Sequence, residues 1–168
     1  MSYLHYYYFK KSFFGINIVN VIMSILAFTD GSGPSPDRRT CSCAIIITDL
    51  NHNTIYSEIF QPDPEVIKTN NAAELYAILK CLDHKPKIIH SDSLLSINLI
   101  TGAYRCHKHH LQVLVDQIRL HPHYNNVSEF KWIKGHKTTT IEEKLISECD
   151  QLCRNANKSD LLTTNLSS

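Results

Sequence analysis

From Ile22 to Phe28 the chain is almost uniformly apolar, the pattern of a strand covered on both faces. It predicts a first strand over residues 24–29. The run ends in Phe28-Thr29-Asp30-Gly31-Ser32, where a carboxylate meets a glycine turn signal. Gly33, Pro34 and Pro36 keep residues 31–39 irregular. Residues 40–48 (TCSCAIIIT) are rich in β-branched side chains and predict a second strand. After a turn at 49–53, Ile55, Ser57 and Ile59 alternate with Tyr56, Glu58 and Phe60 in a third strand, completing an antiparallel meander that Pro62 and Pro64 end.

The period then lengthens. Leu75, Ile78, Leu79 and Leu82 fall at helical spacing, predicting a helix capped by Asn70 or Asn71 and running to about Asp83. Residues 87–90 form a short fourth strand before Ser91-Asp92-Ser93, and a helix follows until Gly102 stops it near Thr101. A third helix carries Leu111, Leu114, Val115 and Ile118 up to Pro122. Residues 127–133 are the fifth strand, with Trp132 expected in the core. After Gly135-His136, Thr140 and Glu143 make a capping box for a last helix with Ile141, Leu145, Cys149 and Leu152 on one stripe. The order βββαβααβα specifies an α/β fold, a five-stranded mixed sheet flanked by helices.

Composition is that of a single globular domain, 43% apolar and 20% charged, with a formal net charge of +1. The six cysteines match no zinc spacing and read as reduced, mostly buried thiols of an intracellular protein, cytoplasmic or nuclear. Residues 1–22 are acid-free, with Lys10-Lys11 ahead of an apolar run. Gly15, Asn17, Asn20 and Ser24 make that run too polar for a membrane span. Cleavage after it would remove the strand leading into Asp30. These residues are read as a leader upstream of a start at Met23, with organellar targeting left open. The expected domain covers 23–158, with a flexible tail at 159–168.

Four carboxylates fall where this topology concentrates chemistry. Asp30 ends the first strand, Glu74 lies in the first turn of the first helix, Asp92 follows the fourth strand and Asp150 sits inside the last helix. Each has an ordinary structural explanation: a turn, a capping box with Asn71, a helix N-cap, a solvated helix residue. Strands one and four can be parallel neighbours, which places their carboxyl ends side by side, where α/β sheets bind ligands. Four acids converging there repel one another unless cations neutralise them. Oxygen ligands suit Mg²⁺ or Mn²⁺, and two such ions about 4 Å apart support an in-line phosphodiester displacement. With these four charges neutralised, the formal +1 becomes +5, a bias that a phosphate backbone rewards.

The set Thr29-Asp30-Gly31-Ser32, Thr69-Asn70-Asn71-Ala72-Ala73-Glu74-Leu75, His90-Ser91-Asp92-Ser93, Lys134-Gly135-His136 and Cys149-Asp150-Gln151-Leu152 resembles type 1 ribonuclease H, from about Ser24 to Ala156. The resemblance implies the ribonuclease H-like fold and hydrolysis of the RNA strand of RNA–DNA hybrids, leaving 5′-phosphate and 3′-hydroxyl ends. It implies that Asp30, Glu74, Asp92 and Asp150 hold two Mg²⁺ ions, with Mn²⁺ as a substitute. Asp30 would bridge the ions, and Glu74 would also approach the 2′-hydroxyl beside the scissile phosphate. His136, on a Gly-flanked loop, would shuttle protons or assist product release. Gly31, Ser32, Asn70 and Asn71 would meet the minor groove and its 2′-hydroxyls, and Thr69 a phosphate of the DNA strand.

The sequence departs from the family in several places. The loop after the first turn reads Gly33-Pro34-Ser35-Pro36 without the usual Asn, and Ile146 replaces an Asn four residues before the last Asp. The stretch from His136 to Asp150 is longer than usual. The Trp-rich basic protrusion is missing; Tyr104-Arg105-Cys106-His107-Lys108-His109-His110 stands in its place, with Tyr104 as the aromatic available to stack on a sugar. A monomer is expected, with a partner protein supplying hybrid affinity. Three alternatives stay open: a zinc site in the Cys106–His110 cluster, a nuclease of this fold acting on DNA in the manner of resolvases and transposases, and a non-catalytic nucleic-acid-binding domain.

Overall fold

The structure, a computed structural model, describes residues 24–34 and 40–164, with side chains in the last helix described as far as Ala156. The expected leader, 1–22, lies outside the described residues. Five strands form one sheet in the order β3-β2-β1-β4-β5. These are β1 (Leu26–Ser32), β2 (Ser42–Thr48), β3 (Thr54–Phe60), β4 (Ile88–Ser91) and β5 (Glu129–Trp132). β1, β2 and β3 pair antiparallel, while β4 runs parallel to both β1 and β5. The sheet is mixed and the element order is the expected one.

Helices cover both faces, which is why β1 and β2 read as continuous apolar runs. Ala27, Cys43, Ile45 and Ile47 point into a core built with α1 (Asn70–Cys81), α2 (Leu94–Thr101) and α3 (His109–Leu120). Leu26, Phe28, Ala44 and Ile46 point the other way, against Leu145, Ile146, Cys149 and Cys153 of α4 (Ile141–Thr164). Leu111, Leu114, Val115 and Ile118 are all buried, as their spacing predicts. Gly102 terminates α2 at φ 84°, a left-handed conformation that costs glycine little. Thr140 accepts from the Glu143 amide at 3.2 Å and the Glu143 carboxylate accepts from the Thr140 amide at 3.1 Å, the reciprocal box expected at the start of α4. The helical backbone continues to Thr164, into the segment expected as a tail.

Several expectations are corrected. β1 does not stop before Asp30: the ladder with β2 extends through Asp30↔Ala44, Gly31↔Cys43 and Ser32↔Ser42. A partner strand satisfies the backbone that a turn was expected to satisfy. Thr69, not Asn70 or Asn71, caps α1, its hydroxyl accepting from the Ala72 amide at 3.2 Å. Glu74 lies too far along the helix to close a capping box. Trp132 is 44% exposed rather than in the core, because β5 is the sheet's edge and the indole lies over the β4–α2 junction. At the other edge, the alternation of β3 buries neither face completely: Ile55 and Ile59 remain exposed, and Phe60 packs on Tyr76 with ring centroids 6.0 Å apart. The stripe of α4 holds at Leu145 and Cys149, but Ile141 is exposed and Ile146 is buried instead.

Candidate active site

Two parallel strands ending together create the site. The pairing of β1 with β4 ends at Thr29↔Ser91, so the next residues, Asp30 and Asp92, emerge side by side. Asp92 is not spent as a helix cap. Ser93 caps α2 and accepts from the Ser96 amide, which leaves the Asp92 carboxylate for the cavity. The Asp92 backbone carbonyl is fixed by the Trp132 indole, whose Nε1 donates to it at 3.0 Å.

Glu74 arrives from α1. Its approach depends on Gly31, where a side chain would overlap the backbone of Ala73 and Glu74. The helix therefore packs directly on β1 and drives a carboxylate into the end of the sheet. Asp30, Glu74 and Asp92 each offer an oxygen within 4.8 Å of the others. Asp30 and Glu74 are each only 6% exposed.

These carboxyls are hard to ionise without a counter-charge. Burial, then repulsion from Asp92 and Asp150, pushes Asp30 up to about 6. Burial, then repulsion from Asp30 and Asp92, raises Glu74 well above the usual carboxylate range. Asp92 is raised as well, chiefly by burial. One Glu74 oxygen, Oε2, is buried with no hydrogen-bond partner. A buried glutamate with one oxygen unpartnered, clustered with two further acids, fits an oxygen-ligated divalent cation, which would supply both the missing partner and the missing charge.

Asp150 stands apart from the three. It lines the same open cavity, of about 310 Å³, with Asp30, Gly31, Ser32, Asn70, Glu74, Asp92, His136 and Arg154. Its carboxylate is engaged by the Arg154 Nε at 2.8 Å and lies 3.8 Å from His136 Nδ1. His136 has a side chain 74% exposed and a backbone at φ 60°. That left-handed conformation is one that histidine tolerates better than most residues, and it turns the ring out of the loop after Gly135. Asn70 is oriented by its Oδ1, which accepts from the Gly33 amide at 2.9 Å. Thr69 and Asn71 do not line the cavity.

The sequence reading expected buried thiols in α4 but missed Arg154 and the partners that those thiols find. Arg154 follows Asp150 by one helical turn, a pairing that spacing alone could have raised. The Cys149 and Cys153 thiols donate to the backbone carbonyls of Phe28 and Asp30, each at 3.5 Å, so α4 grips β1 beneath the site. Burial raises both thiols, along with Cys43 and Cys81, which makes them inert. Among the described residues no disulfide forms. The Cys106–His110 stretch brings no three ligands together, as Asp30, Glu74 and Asp92 do. Tyr104 is exposed. Among the described residues no helix is long and apolar enough to cross a membrane.

Comparison with known proteins gives the same picture. The RNase H family model matches residues 23–158. The N-terminal RNase H domain of Rv2228c from Mycobacterium tuberculosis superposes with a TM-score of 0.65 at 15% identity, over 84% of this chain and 99% of that one. RNase H1 from the halophilic archaeon Halobacterium salinarum NRC-1 gives 0.61 at 18% identity, over 81% of this chain and 98% of that one. LC11-RNase H1, isolated from compost by a metagenomic approach and solved in complex with an RNA/DNA hybrid, gives 0.64 at 20% identity, over 82% and 99%. At these identities the likeness is one of fold. No curated protein matches the sequence.

Proposed function

The chain belongs to the RNase H family, and we propose that it is an endonuclease hydrolysing the RNA strand of RNA–DNA hybrids. The ends expected are 5′-phosphate and 3′-hydroxyl. The observation that carries this reading is the convergence of Asp30, Glu74 and Asp92 within 4.8 Å, with a buried carboxylate oxygen left unpartnered. LC11-RNase H1, which shares the fold, is known in complex with an RNA/DNA hybrid.

In this reading Asp30, Glu74, Asp92 and Asp150 hold two Mg²⁺ ions, with Mn²⁺ as a substitute. Bound there, the ions supply water activation and neutralisation of the leaving oxygen. The protein's own share is positioning. β1 and β4 hold Asp30 and Asp92 in register, and α1 presses Glu74 between them. The exposed His136 imidazole, which lines the cavity 3.8 Å from Asp150, carries a proton to or from the reacting oxygens. Ser32 and the Asn70 amide, with its oxygen already tied to Gly33, offer hydrogen bonds along the RNA strand. Such groups recognise the 2′-hydroxyl. Asn71 and Thr69 would contact the hybrid from outside the cavity, the Thr69 hydroxyl donating while its oxygen caps α1.

Residues 23–158 are the proposed nuclease domain, following a leader at 1–22. The loop between α2 and α3, residues 102–108, is short, so hybrid affinity is expected to need a partner protein. The test is cleavage by the purified chain of a hybrid, of double-stranded RNA and of double-stranded DNA, each with and without Mg²⁺. Cleavage confined to the hybrid's RNA strand and dependent on Mg²⁺ is expected. Cleavage of DNA alone, or of nothing, would overturn the reading.

A further inference from the structure

The fourth carboxylate lies outside the cluster of the other three, and it is paired with a cation that lines the same cavity. The cavity carries four acids, yet only Asp30, Glu74 and Asp92 bring oxygens within 4.8 Å of one another. Asp150 is tied by one oxygen to the Arg154 Nε at 2.8 Å, across one turn of α4. Asp150 has a side chain 22% exposed and Arg154 one that is 53% exposed. The guanidinium thus links a partly enclosed acid of the cavity to solvent.

We infer that Arg154 is a positioning and substrate-exchange residue: it holds Asp150 away from the metal cluster until a phosphodiester of the RNA strand takes over the guanidinium. The inference rests on the hybrid-nuclease reading and adds a step to it. A guanidinium fork matches phosphate oxygens as well as it matches a carboxylate. The contact to Asp150 uses Nε, so the terminal nitrogens can meet a phosphate first. Once the cation shifts toward the nucleic acid, the Asp150 carboxylate loses its counter-charge and its affinity for a divalent cation rises. Loading of the ion beside Asp150 is thereby linked to the presence of a phosphate backbone. His136, 3.8 Å from the other Asp150 oxygen, is the second group facing that carboxylate, and it remains when Arg154 leaves.

The linkage predicts opposite signs for two binding constants when Arg154 is removed. Mn²⁺ binding to the free protein is measured by calorimetry, and hybrid binding in EDTA across a salt series, for wild type, R154A and R154K. In R154A, Mn²⁺ should bind on the order of tenfold more tightly, because one positive charge has left an acidic site. The same variant should bind hybrid more weakly, with a salt slope shallower by about 1. R154K keeps the charge without the fork, so its Mn²⁺ affinity should stay near wild type while its hybrid affinity falls. A residue that merely braces α4 would weaken both constants or neither. Unchanged or weaker Mn²⁺ binding in R154A, an unchanged salt slope, or Mn²⁺ affinity in R154K as tight as in R154A would each overturn the inference. Should R154A fail to fold, R154K alone still decides it through the two affinities. Wild-type cleavage of the hybrid is the separate control: if it cleaves and the two constants do not split, only the role of Arg154 falls.

Discussion

Gly135 abuts the Asp92 carboxylate so closely that a Cβ added to the glycine would stand 2.5 Å from Asp92 Oδ2 and 3.3 Å from its Cγ. The loop that carries His136 is thus shaped around a proposed metal ligand, and a single methyl group should separate folding from function. Asp92 is short and its backbone is pinned by Trp132, so its carboxylate has to rotate away. Gly135→Ala should lower cleavage about 10²-fold, the scale of a 1 Å misplacement, and shift the melting temperature by only a few degrees. Steady-state kinetics beside thermal unfolding check this; normal activity would show that the carboxylate has room to spare.

Asp92→Asn keeps the size of the side chain and removes its charge. Mg²⁺-dependent cleavage of a hybrid should fall at least ~10²-fold. Metal-free stability should not fall, because the change relieves repulsion within the cluster. Wild-type activity in this variant would defeat the proposed chemistry.

The acid cluster should make the metal-free protein less stable as pH rises. Asp30 is pushed up to about 6 in the folded chain against an ordinary 3.8, so the native state still holds a proton that the unfolded chain has lost. Stability is therefore full below about pH 4 and declines as pH rises through 6, by about 3 kcal/mol for Asp30 alone. Glu74 adds to the loss in the same direction. In EDTA at pH 7.5, Asp30→Asn should melt above wild type, with the gap closing toward pH 4. Mg²⁺ at pH 7.5 should raise the wild-type melting temperature more than that of the variant. A gap independent of pH would rule out burial of the charge as its source.

Gly31→Ala tests the packing that delivers Glu74. The new Cβ would overlap main-chain atoms of Ala73 and Glu74, which no side-chain rotation relieves, so α1 has to move off β1. A loss of at least ~3 kcal/mol is expected, visible as a fall in melting temperature of roughly 10 °C or more. A variant as stable as wild type would mean that α1 is free to shift.

Much of this architecture is legible locally. The spacing of Leu111, Leu114, Val115 and Ile118 places α3 and its buried face, Gly102 ends α2, and the Thr140–Glu143 pair starts α4. Each of these signals is written within a few residues. The runs of β1 and β2 announce strands covered on both sides, since no solvated face interrupts them. The acids too are legible as a set, because Asp30, Glu74 and Asp92 sit at element ends that the predicted topology brings together. Long-range pairing decides the rest. Asp30 lies within a strand because β2 runs past the point where β4 stops, a fact of register between segments far apart in sequence. Trp132 and Ile59 are exposed because their strands are edges, and no alternation within a strand says which neighbour is absent. The four carboxylates, alike in the sequence, line one cavity but divide into three whose oxygens cluster and one paired with Arg154. That division depends on how α1 and α4 pack against the sheet from opposite sides, and only the folded chain sets it.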